Sequence, residues 1–147
     1  MIIQPILDLV AICAKKGVEH AILSPGSRCA PLTLAFARHP DIHARTISDE
    51  RSAAFIALGM AQQLDQPVVL VCTSGSAALN YYPAVAEAFF QQVPLLILTA
   101  DRPTEWIDQW DGQTIFQSEV YGKHVKKSFQ FPDSFSSEDQ IWHASSI

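Results

Sequence analysis

The sequence predicts a doubly wound α/β domain, a mainly parallel sheet with helices on both faces, and three observations carry that prediction. Runs rich in Val, Ile and Leu alternate at short spacing with alanine- and leucine-rich stretches of helical period, and parallel strands need helical crossovers of this kind. One run, Pro67-Val-Val-Leu-Val-Cys72, is apolar at every position, as a strand covered on both faces must be. Each run also ends in polar, turn-forming residues, and the carboxyl ends of strands are where open α/β sheets place their ligands.

Taken in order, Ile3, Ile6, Leu7, Val10 and Ala14 keep helical spacing, and Lys15-Lys16-Gly17 supplies a basic last turn and a glycine stop, so residues 4–16 read as a helix. His20-Ala-Ile-Leu23 is a short buried strand cut off by Ser24-Pro-Gly-Ser-Arg28. Pro31 suits the first turn of the next helix, Leu32 to Arg38, which stops before His39-Pro40. His43 to Ser48 reads as the second strand and Arg51 to Leu64 as its helix. After the third strand, Pro67 to Cys72, a helical pattern runs through Ala84, Val85, Ala88 and Phe89, with Pro83 either opening that helix or kinking it. Pro94-Leu-Leu-Ile-Leu-Thr99 is the fourth strand. Beyond it, residues 105–113 read as an aromatic-rich loop, Thr114 to Tyr121 as a short helix, and Val125 to Phe131 as an edge strand. The serine-rich tail from Pro132 carries a possible helix start at Ser136 or Ser137.

The 147 residues have the size of one ordinary domain with a substantial core. A net charge of −5 argues against nucleic acid, since the only basic cluster is Lys123, His124, Lys126 and Lys127. Three scattered cysteines, Cys13, Cys29 and Cys72, form neither a disulfide framework nor a zinc pattern and fit reduced thiols in the cytoplasm. The apolar start has no basic residues or small-residue cleavage site, so it reads as a buried helix rather than a signal peptide. No run is long enough to span a bilayer.

Chemistry-bearing residues sit at all four predicted strand ends. Glu50 follows Asp49 at the second, where an acidic residue either caps a helix or faces a ligand. Ser27 and Arg28 follow the first and Arg102 the fourth; a guanidinium fork suits a carboxylate, although Arg102 can also pair with Asp101. Thr73, Ser74 and Gly75 follow the third, as a serine-capped helix start or as the wall of a pocket that glycine lets a ring approach. A phosphate cradle is disfavoured there, because the sequence has neither a P-loop nor GxGxxG. The five histidines show no ligand spacing, Cys29 reads as packing, and Trp106 and Trp110 read as loop packing or subunit contacts.

Together Ser24-Pro-Gly-Ser-Arg-Cys-Ala-Pro-Leu-Thr33, Asp49-Glu-Arg-Ser-Ala-Ala-Phe55, Thr73-Ser-Gly-Ser-Ala-Ala78 and Thr99-Ala-Asp-Arg-Pro103 resemble the amino-terminal, pyrimidine-binding domain of thiamine-diphosphate enzymes. Within these, they are most similar to the 2-oxoglutarate-using synthase family of menaquinone biosynthesis. The resemblance implies that Glu50 hydrogen-bonds N1′ of the aminopyrimidine, favouring the imino tautomer that takes the C2 proton of the thiazolium. It implies that Thr73, Ser74 and Gly75 line the pyrimidine pocket. It also implies that Ser27, Arg28, Arg102 and Gln113 bind the dicarboxylates 2-oxoglutarate and isochorismate. Trp110-Asp-Gly112 departs from the Gly-Ala-Asn usual in the family, which bears on the conformation before Gln113.

The same resemblance implies Mg²⁺ held by a Gly-Asp-Gly segment and an asparagine pair, and no Gly-Asp-Gly occurs here. Residues 1–147 are therefore expected to be a single pyrimidine-binding domain, truncated before its last α/β unit. It would be a fragment of a longer, multi-domain, cytoplasmic transferase, inactive alone and working as a homodimer or homotetramer. A non-catalytic α/β binding module, or another thiamine-diphosphate carboligase or decarboxylase, is the alternative.

Overall fold

Four strands, β1 (His20–Leu23), β2 (His43–Thr46), β3 (Val68–Cys72) and β4 (Leu95–Thr99), form one parallel sheet in the order β2-β1-β3-β4. This computed structural model describes residues 4–107 and 109–131. The helices are α1 (Gln4–Lys15), α2 (Ala30–Arg38), α3 (Glu50–Leu64) and α4 (Ser76–Gln91). The chain steps from β1 outward to β2, then crosses back over β1 to β3 and on to β4. Right-handed crossovers put the helix of the first step on one face and those of the later steps on the other. Accordingly α1 and α2 pack together on one face, over Ala21, Leu23, Val69 and Val71. On the opposite face α3 and α4 cover Ile22, Val68, Leu70 and Cys72. All five residues of β3 are buried, as its unbroken apolar run predicts.

The local chemistry of the chain explains most boundaries. Gly17 ends α1 with φ +87°, and Val18 N–H donates to the Cys13 carbonyl (3.0 Å) while Gly17 N–H donates to Ala14 (3.0 Å), a left-handed C-terminal cap. Pro31 lies in the first turn of α2, as expected. Strand β2 stops at Thr46, two residues before the predicted end, because Asp49 is already turning to cap α3. Pro83 does not open α4 but lies inside it.

Two sequence expectations fail beyond β4. Residues 114–121 do not form a helix: Gln113 and Glu119 take φ values of 58° and 53°, and the segment is instead held as turns against α4 and the strand ends. Residues 125–131 do not form an edge strand. A short 3-10 turn, Gly122–His124, carries the chain against α4, where Tyr82 Oη and His124 Nδ1 lie 3.0 Å apart, and the alternating residues after it pair with no strand of the sheet. Alternation alone cannot make a strand without a hydrogen-bonding neighbour. The expected helix near Ser136 or Ser137 lies outside the described residues.

Candidate functional site

The direction of winding reverses between β1 and β3, and at such a switch point the loops leaving the two strands part to form a crevice. Here they meet across Gly26 and Thr73. A Cβ at Gly26 would lie 2.5 Å from Thr73 Cβ, so only glycine lets the two loops close on one another. Cys29 ties the first loop down from below: its thiol is fully buried and donates to the carbonyls of Gly26 (3.3 Å) and Ser24 (3.5 Å). Tyr81, reaching up from α4, donates to the Val71 carbonyl (2.9 Å) and lies 3.2 Å from Ser24 Oγ. It therefore braces the ends of β1 and β3 together.

At the end of β2 the two adjacent carboxylates divide their work. Asp49 is the cap of α3: its Oδ2 accepts from Ser52 N–H at 2.9 Å and also contacts the Ser52 hydroxyl. Those bonds hold the Asp49 carboxyl below its usual range. Glu50 is the first helical residue, half-buried, and no hydrogen bond among the described residues engages its carboxylate. Its charge is felt at the end of β3, two strands over in the sheet: burial pushes the Cys72 thiol up to about 12, and the negative field of Glu50 adds to that rise. Asp49 thus serves the helix, and the Glu50 carboxylate is free of that task.

The third and fourth strand ends are joined by a strap, residues 109–119. Gly75 has φ +82°, and a Cβ there would overlap the Gln113 carbonyl oxygen, which accepts from Ser76 N–H at 3.1 Å. Gln113 Nε2 donates to the Ser74 carbonyl at 2.9 Å. The close approach that Gly75 permits in this structure is therefore made by the chain itself, and the first amide of α4, that of Ser76, is already bonded. Arg102 is buried, with 7% of its surface exposed; its Nη2 donates to the Gly112 carbonyl (2.7 Å) and its Nε has no partner among the described residues. Asp101 accepts from the Arg102 backbone N–H (2.7 Å). Ser74 Oγ is likewise buried without a partner.

The structure thus gathers Thr73, Ser74, Gly75, Arg102 and Gln113 into one region, while Glu50 stands at the start of α3 with its charge registering at Cys72. Ser27 is exposed and Arg28 half-buried on the β1 loop, and among the described residues no hydrogen bond links either side chain to the others. Trp110 does not pack into its loop, standing 96% exposed, and Trp106 is half-exposed. Tyr81 and Gln117 escaped the sequence, whereas Cys29 is packed in the core as its reading expects. The signal for Tyr81 was a bulky phenol on the alanine-rich face of a helix, where a buried hydroxyl needs a partner; nothing marked Gln117. An open groove of about 620 Å³ beside His20, His43, Arg45 and Thr46 contains none of the predicted site residues.

A 2-succinyl-5-enolpyruvyl-6-hydroxy-3-cyclohexene-1-carboxylate synthase of Cytophaga hutchinsonii is 56% identical over 139 residues, which are 95% of this chain and 25% of that protein. The synthase of the same name from Microcystis aeruginosa is 60% identical over 116 residues, 79% of this chain and 20% of that protein. The chain spans about a quarter of the length of the curated relatives it matches. The crystal structure of benzoylformate decarboxylase from Polynucleobacter necessarius superimposes with a TM-score of 0.71 at 22% identity, over 84% of this chain and 23% of that one, a likeness of fold. Residues 8–127 match the thiamine pyrophosphate enzyme N-terminal TPP binding domain, and the chain belongs to that family.

Proposed function

We propose that this chain is the pyrimidine-binding part of a thiamine-diphosphate-dependent synthase that decarboxylates 2-oxoglutarate and joins the remaining succinyl unit to isochorismate, in menaquinone biosynthesis. The observation that carries this function is the division of labour between Asp49 and Glu50. With the helix capped by its neighbour, the half-buried Glu50 carboxylate is left to face a ligand at the strand ends. The names of the most similar curated proteins supply the reaction.

The residues present fit the cofactor. Ser74 Oγ is a buried hydroxyl and Glu50 a carboxylate, neither with a hydrogen bond among the described residues, and Thr73 lies against Gly26 at the switch point. In this role Glu50 hydrogen-bonds the pyrimidine and holds or returns a proton at its ring nitrogen, while Thr73, Ser74 and Gly75 wall the ring. The cofactor, when bound, supplies the electron sink for decarboxylation. Arg28, Arg102, Ser27 and Gln113 bind and orient the dicarboxylate substrates; the unpartnered Nε of buried Arg102 is a donor suited to a carboxylate oxygen. Mg²⁺ for the diphosphate would be held by residues outside this chain, and the enzyme would work as a cytoplasmic homodimer or homotetramer. Among the described residues no helix is long and apolar enough to cross a membrane.

Glu50→Gln in the full-length enzyme is the decisive experiment. Glutamine keeps the size of the side chain but cannot exchange the proton, so exchange of the cofactor's C2 proton, followed by NMR after acid quench, should slow by at least about a hundredfold, the scale of a lost acid–base group. Exchange at the wild-type rate would reject the assignment.

A further inference from the structure

The strap over the strand ends does not hold its own shape. Trp110, Gln113 and Glu119 all adopt left-handed backbone conformations, with φ of 59°, 58° and 53°. Each is a strained conformation for a non-glycine residue, so contacts from elsewhere must keep the segment in place.

Those contacts converge on Gln117. Its Oε1 accepts from Gly75 N–H at 2.7 Å, and its Nε2 donates to the Ala100 carbonyl at 2.6 Å and lies 3.3 Å from Thr99 Oγ1. One side chain therefore links the start of α4, the end of β4 and the strap. The job needs a carboxamide, because one end must accept and the other donate. Four residues back along the strap, Gln113 is held by Ser76 N–H and the Ser74 carbonyl, and Gly112 is held by Arg102.

We propose that Gln117 is a positioning residue: its carboxamide latches the strap onto the strand ends and so sets where Gln113 and the Arg102 guanidinium lie. Its effect falls on the dicarboxylate substrate rather than on the cofactor, because the groups it places are the substrate-facing ones. This role rests on the synthase function proposed above.

Two variants test it. Gln117→Met removes donor and acceptor at similar length; Gln117→Glu keeps the acceptor for Gly75 but not the donor to Ala100. In this chain, hydrogen exchange is read at Ser76, whose amide bonds to Gln113 and not to Gln117, so that it reports the transmitted effect rather than the deleted bond. Acceleration of about tenfold is expected in Gln117→Met, with a smaller one in Gln117→Glu, in line with one lost buried hydrogen bond. In the full-length synthase, KM for 2-oxoglutarate or isochorismate should rise about tenfold in Gln117→Met, with the thiamine diphosphate concentration for half-activation changed less than about twofold. Unchanged Ser76 exchange in both variants overturns the latch. Faster exchange with unchanged KM, or with equal losses in substrate and cofactor affinity, overturns the positioning role. A wild-type enzyme that does not turn over these dicarboxylates rejects the proposed reaction instead, and the Ser76 measurement then still decides the latch.

Discussion

A carboxylate at a strand-to-helix turn can serve the helix or a ligand, and the pair Asp49-Glu50 separates those tasks onto two residues. The separation has a measurable signature. Asp49→Ala should move the urea midpoint down while leaving cofactor C2-proton exchange in the full-length enzyme near wild type. Glu50→Gln should do the reverse. Because the Asp49 carboxyl is held low by its bonds to Ser52, its contribution is present above the ordinary aspartate value and fades as the pH falls through the lowered one. The Asp49→Ala difference should therefore shrink in acid; a constant difference would mean that the cap is not what the substitution removes. The two arginines differ in the same way. Arg28→Ala should raise the KM for a dicarboxylate with little change in stability, since Arg28 is only half-buried on its loop. Arg102→Ala should cost both, because it also frees the Gly112 carbonyl. Unaltered substrate kinetics in both variants would remove the arginines from the site. The position of Glu50 was legible because a β-branched run gives way there to a helical one. The inward turn of Arg102 was not, since it depends on a loop whose path no periodicity encodes.

Among the elements, the helix ends show where the chain departs from its preferred chemistry. Helix α1 closes on Gly17, which adopts its left-handed turn without a Cβ penalty, while α4 closes on Gln92 at φ 58° with the same bonding: Val93 N–H to Ala88 (2.9 Å) and Gln92 N–H to Phe89 (3.3 Å). A glutamine gains nothing from that conformation, and its side chain is exposed. Gln92→Gly should therefore stabilise the domain by about 0.5–1 kcal/mol, the relief of the left-handed strain less the added freedom of glycine in the unfolded chain. Urea unfolding with an unchanged m-value measures this, and a destabilised variant would show that Gln92 contributes through contacts instead. The strands and helices through Thr99 were legible because each has its own period and its own breaker. Residues 114–131 were not: the alternation of Val125, Lys127 and Phe129 resembles a strand, but the shape of that segment is set by contacts with α4, Gly75 and Ala100, distant in sequence.

At the scale of the whole molecule, one sheet divides two apolar layers, and each layer buries a thiol. Cys13, a residue of α1, lies with Cys29 on one side and Cys72 ends β3 on the other. Burial pushes Cys13 up to about 11 and Cys72 up to about 12 from an ordinary 9.0. Both therefore keep their protons in the folded state at a pH where the unfolded chain gives them up. The stability that depends on this is fully present below the unfolded value and is lost as the pH rises through the folded one, so the fall begins near pH 9 and continues to about pH 11–12. Each thiol contributes on the order of 1 kcal/mol per pH unit across that window, and the burial that raises Tyr81 and Tyr121 extends the loss above pH 10. Urea midpoints measured from neutral pH to about pH 11 should be flat to about pH 8.5 and then drop, and Cys13→Ala should drop less steeply over the same window. Equal slopes for the two proteins would mean that the α1 layer opens to water well before the sheet does, and that the two faces are not one cooperative unit.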